Sequence, residues 1–163
     1  MKNDIRRHKL FVYGTLKKKH RLNSLLVDEV FVGDYVTKDS CYGMSSYLDS
    51  FPMVYHSDTH NNQIVGELYE VTTLNYDQIL AMEYNAGFIP IQVDIENVEH
   101  ADKPHRVMNK AYETALMFLI PDSHLIEKDV NYYQKQNSTI ITKDNKTEWI
   151  NVRWTISKNS ICI

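Results

Sequence analysis

The spacing of apolar and polar positions divides the chain into short strands with one helical interruption. Leu10-Phe11-Val12-Tyr13 is a continuous apolar run broken by Gly14, which predicts a buried strand ending in a turn over Gly14-Thr15-Leu16. Leu22-Asn23-Ser24-Leu25-Leu26 fits a short helical turn, and residues 28–37 a strand with Gly33 as its bulge. The aromatic-rich segments 42–47 and 51–55 read as strand or sheet edge, with Pro52 favouring an edge for the second. Residues 58–62 form a polar turn. Residues 63–71 predict a second clear strand, and Gly66 within it marks a bulge or a close backbone approach.

The period then changes. Leu74, Gln78 and Met82 fall on one side, and Tyr76, Ile79, Leu80 and Glu83 on another, as in a helix of about three turns. Thr72 or Thr73 caps it and Asn85-Ala86-Gly87 ends it. Residues 88–98 alternate as a core strand, 100–109 make a charged loop, and 111–120 form the most hydrophobic strand of the second half, closed by Pro121-Asp122. Residues 122–148 are polar and mixed, with a short helix expected around 124–134. Residues 149–156 alternate as a last strand with Trp149 and Trp154 on opposite faces.

Composition narrows the class. A chain of 163 residues with 43% hydrophobic and 24% charged residues fits one globular domain able to bury a core without metal or disulfide support. The formal net charge of -3 argues against nucleic acid or an anionic membrane as partner. No apolar run reaches bilayer-spanning or signal-peptide length, so the expected location is cytoplasmic. In that compartment Cys41 and Cys162 are expected as free thiols.

Most candidate chemistry falls away. His56 and His60 have a helical ligand spacing, but a turn-like Ser57-Asp58-Thr59 separates them and no third ligand follows, so no metal is expected. There is no nucleophile elbow, phosphate loop or dinucleotide fingerprint. The basic run Lys17-Lys18-Lys19-His20-Arg21 is either a solvated face or an electropositive rim beside the Gly14 turn. Two features remain. The turn after the first strand is either an ordinary turn or a place where a ligand anion approaches the amides of Gly14, Thr15 and Leu16, since Gly14 has access to positive φ and carries no side chain. Glu83 shares the helix's apolar face with Ile79 and Leu80, and is either a functional acid or a residue at a frayed helix end.

Taken together and in order, these segments resemble the gamma-glutamyl cyclotransferase-like family. Phe11-Val12-Tyr13-Gly14-Thr15-Leu16-Lys17 is similar to the family's opening Tyr-Gly-x-Leu segment, and Val65-Gly66-Glu67-Leu68-Tyr69-Glu70-Val71 to its second strand motif. Ile79-Leu80-Ala81-Met82-Glu83 is similar to the helix that ends in its catalytic glutamate. The resemblance spans about residues 9–120 of a single domain, with residues 122–163 outside it. It implies an α+β fold, a small mixed β-barrel flanked by helices. It also implies release of 5-oxoproline from a small γ-glutamyl amine or peptide, with no cofactor. Glu83 would be the general acid/base, Tyr13, Gly14, Thr15 and Leu16 would hold the substrate, and Phe88 would lie on the substrate side. The chain departs from the family at Lys19 and Tyr84, where glycine is usual, at Leu80, where aspartate is, and at Phe88 and Pro90, which stand for Tyr-x-Arg. Two rival functions are a non-catalytic binding module on the same fold, and transfer or cleavage on another amide or nucleotide-like ligand.

Overall fold

The computed structural model describes residues 6–47, 51–101, 112–121 and 140–149. Five strands close a mixed barrel: β1 (Arg7–Val12), β2 (Val30–Thr37), β5 (Gln63–Thr72), β6 (Ile89–Asn97) and β7 (Glu113–Leu119). They run in the order β1-β7-β6-β2-β5, and β5 returns to pair with β1. Every neighbouring pair is antiparallel except β1 and β7, which run parallel with Leu10 beside Leu116. A hairpin of β3 (Tyr42–Tyr47) and β4 (Phe51–His56) forms a separate two-stranded sheet.

Alternation along the strands sorts the apolar side chains into two layers. Phe11, Tyr35, Leu68, Val93, Ile95, Met117 and Leu119, drawn from all five strands, fill the barrel, with Met44 and Val54 of the hairpin packed among them. Their neighbours Leu10, Val12, Tyr69, Val71 and Phe118 point the other way and meet Ile79 of α1 (Thr73–Asn85). Gly33 marks the expected bulge, where the β2–β5 register shifts between Phe31 and Gly33. Gly66 is a close backbone approach: a Cβ there would lie 2.5 Å from the Val12 carbonyl oxygen. A one-turn helix, α2 (Val98–Ala101), follows β6 at the start of the expected charged loop.

Two strands occupy part of the segment expected to be polar and mixed. β8 (Ile140–Lys143) and β9 (Lys146–Trp149) form a hairpin whose Asp144 and Asn145 both take positive φ, the backbone of a tight two-residue turn. β9 adds to β5 in parallel, and Trp149 is buried with the barrel core. The helix expected near 124–134, the strand expected beyond Trp149 and Cys162 lie outside the described residues. Cys41 is a free thiol. Among the described residues no helix is long and apolar enough to cross a membrane, and no group of three or more His, Cys, Asp or Glu could hold a metal ion.

Candidate active site

A cavity of about 220 Å³ opens between the end of β1, the end of α1, and the starts of β4 and β6. Tyr13, Gly14, Thr15, Leu16, Glu83 and Phe88 all line it, so the six residues singled out in the sequence lie in one place. Phe11, Phe51, Met82 and Phe118 make its other walls largely apolar, and Arg21 is the one cationic lining residue among those described.

Glu83 reaches the cavity because of where it lies on α1. Ile79, one turn earlier, is buried against the barrel, which turns the same helix face inward at Glu83. The helix stops just beyond it. Ala86 N–H donates to the carbonyls of Met82 and Glu83, Phe88 N–H donates to Glu83 O at 3.0 Å, and Gly87 takes φ +93°. That closing geometry belongs to a C-terminal glycine cap. Glu83 is therefore not a frayed end. Burial raises its carboxyl to about 7, and among the described residues no charge counters that shift.

Tyr13 lies beside it. Its hydroxyl donates to Phe118 O at 2.6 Å and accepts from Val54 N–H at 3.4 Å, tying β1 to β7 and β4. Burial, with the nearby Glu83 charge second, holds the phenol well above its ordinary range, so it stays a neutral donor.

The turn over Gly14-Thr15-Leu16 is built differently from expectation. Gly14 does not use positive φ. Its missing Cβ instead makes room for Pro52, since a Cβ at residue 14 would lie 2.8 Å from Pro52 Cγ. Pro52, expected only as an edge marker, thus covers the turn from β4. Lys17 N–H donates to Gly14 O at 3.0 Å, whereas the amides of Gly14, Thr15 and Leu16 donate to no group among the described residues. Three N–H groups of cavity-lining residues are thus without an acceptor among the described residues.

The basic run is neither one solvated face nor one rim. Lys17 is buried, the Lys18 ammonium sits 3.2 Å from the Phe31 ring centroid, and the His20 ring packs 4.8 Å from that of Trp149. Only Arg21 lines the cavity. At Lys19 φ is +65°, the left-handed conformation glycine adopts freely, at the position where the resemblance has glycine.

The family profile of gamma-glutamyl cyclotransferase, AIG2-like proteins matches residues 10–149. The chain belongs to this family. The match extends past the resemblance read to residue 120 and takes in the β8–β9 hairpin. No curated protein matches the sequence. Among solved structures, YkqA from Bacillus subtilis is similar with TM-score 0.53 and 21% identity, over 83% of this chain and 45% of that one. The chain thus spans less than half of YkqA. An AIG2-like protein from Mus musculus is similar with TM-score 0.54 and 16% identity, over 75% and 81% of the two chains. A structure named gamma-glutamyl cyclotransferase follows at TM-score 0.52 and 12% identity, over 71% and 67%. At these identities the likeness is one of fold.

Proposed function

We propose that the cavity binds the γ-glutamyl group of a small amine conjugate or peptide and releases 5-oxoproline by intramolecular aminolysis. The observation that carries this reading is a carboxyl raised to about 7 by burial, with no cation paired to it among the described residues, in one cavity with three backbone amides that find no acceptor among those residues. The amides of Gly14, Thr15 and Leu16, with Thr15 and Tyr13 beside them, receive the substrate's α-carboxylate. Glu83 takes a proton from the α-ammonium. The freed amine attacks the γ-carbonyl carbon, and the bond to the leaving nitrogen breaks as Glu83 returns its proton there. The carboxylate then relays the second proton shed by the attacking nitrogen to the departing amine, which leaves as an ammonium. The products are 5-oxoproline and an amine, and no water is consumed.

The raised pKa matters to the first step. An α-ammonium titrates near 8, so proton transfer to a carboxylate at its ordinary 4.5 costs about 5 kcal/mol, and to one near 7 about 1.4 kcal/mol. The apolar walls, Phe88 among them, favour the folded substrate in which amine and carbonyl already touch.

The test is release of 5-oxoproline from a panel of γ-glutamyl amines, amino acids and peptides by wild type and Glu83→Gln. Wild type is expected to release it from at least one compound, and the folded variant from none. If wild type releases none but binds a panel compound by calorimetry, the site is a small-ligand binding module. Phe88 and Pro90 in place of Tyr-x-Arg favour that second reading.

A further inference from the structure

The residues just after Leu16 are held more firmly than the turn they follow. Lys18 N–H donates to both oxygens of the buried Glu67 carboxyl, at 2.7 and 3.1 Å. His20 N–H donates to Lys17 O at 3.1 Å, and Leu22 N–H reaches back to Thr15 O at 2.9 Å. The Lys17 side chain, only 7% exposed, does not line the cavity. Its ammonium donates to Trp149 O at 3.1 Å and to Glu148 Oε1 at 3.2 Å, both on β9. The His20 ring packs on Trp149 from the same stretch.

An apolar side chain in the place of Lys17 would avoid the desolvation of an ammonium. What it would not supply is a directional bond to the β9 main chain. We infer that Lys17 is a positioning residue, which ties the turn over Gly14-Thr15-Leu16 to β9 and thereby fixes that turn in the wall of the cavity that Glu83 also lines. The β8–β9 hairpin thus serves the site without lining it. This rests on the reading of that turn as the contact for the substrate carboxylate. Lys17 and Glu148 are 131 residues apart, and the amide of Lys17 itself closes the turn on Gly14 O, so a shift of the side chain reaches the turn through one residue.

The experiment compares full-length wild type, Lys17→Met, Lys17→Arg and Glu148→Ala by steady-state kinetics and by hydrogen exchange of the bonded amides of Lys17, Lys18, His20 and Leu22. In Lys17→Met, KM is expected to rise roughly tenfold or more with kcat within about threefold, the pattern of lost ground-state and transition-state binding together. Those four amides should exchange about tenfold faster, as in local opening, while β6 and β7 stay protected. Lys17→Arg, which keeps the charge and donors, should recover most of the KM. Should Lys17→Met fail to fold, Glu148→Ala removes one partner of the ammonium, and a KM rise of about threefold carries the test. Unchanged KM, a loss confined to kcat, or an arginine variant no better than methionine overturns the inference. If wild type forms no 5-oxoproline from any compound, the functional reading fails, and the exchange of the four amides alone decides whether Lys17 holds the turn.

Discussion

Replacing Glu83 by glutamine should make the protein more stable at alkaline pH, and by an amount that depends on pH. The carboxyl is raised from 4.5 to about 7 in the folded state by burial. Between those values the folded protein keeps a proton that the unfolded chain has released, so stability falls as pH rises through that window and is level above it. A shift of this size corresponds to about 3 kcal/mol at most, and the open cavity screens it to about 1–2 kcal/mol. Glutamine has nearly the same shape and no charge to bury. The two proteins should therefore differ least at pH 5, where only about a quarter of the effect is present, with the variant about 3–6 °C higher in Tm at pH 8 for a chain of this size. Urea and thermal unfolding at pH 5, 6, 7 and 8 provide the measurement. A difference that stays constant across that range, or a variant less stable than wild type at pH 8, refutes the placement of an uncompensated carboxyl in the cavity.

Four further outcomes follow from named contacts. Gly66→Ala drives a Cβ to 2.5 Å from the Val12 carbonyl, and denaturant unfolding should show a loss of at least about 2 kcal/mol, in the range of overpacked cores. Lys19→Gly relieves a left-handed lysine and should stabilise by about 0.5–1 kcal/mol; an unchanged or lower denaturation midpoint speaks against strain at that residue. Tyr13→Phe leaves Phe118 O without its buried donor and should cost about 1–3 kcal/mol by the same assay. Burial, then the Lys17 charge, lowers His20 to about 4, so its ring proton resonances should stay flat from pH 8 to pH 5. Because the unfolded chain takes up that proton first, the associated stability is lost as pH falls from about 6.5 toward 4, and an NMR midpoint near 6.5 would contradict the buried setting.

The parts of the fold legible in the sequence are those set by neighbours along the chain. The Gly33 bulge, the close approach at Gly66, helix α1 and its end at Gly87 all follow from local pattern and turn chemistry. Glu83 was visible for the same reason, as a charge spaced with Ile79 on an apolar helix face. What stayed hidden depends on partners distant in sequence. Gly14 reads as a flexible turn residue because nothing near it shows that Pro52 will lie over it. Lys17 reads as one cation in a basic run because its partners come from β9, at the other end of the chain. The β8–β9 hairpin has a turn signal in Asp144-Asn145, but only Thr147 and Trp149 of β9 are buried, too little alternation to stand out from polar surroundings.

The parallel seam between β1 and β7 also orders the assembly of the site in time. β1 is the first of the five barrel strands to be synthesised and β7 the last, and the bond from Tyr13 to Phe118 O joins residues 105 apart. A nascent chain holding β1 through β6 already carries the turn, the helix and Glu83, yet it lacks Phe118 and leaves the β7-facing edge of β1 unpaired. Such an edge invites pairing with other chains until it is covered. Closing it demands a contact of long sequence separation, which makes barrel closure a slow step of folding. Phe118, which lines the cavity and accepts from the Tyr13 hydroxyl, joins the site at that step, so this wall of the cavity is completed last.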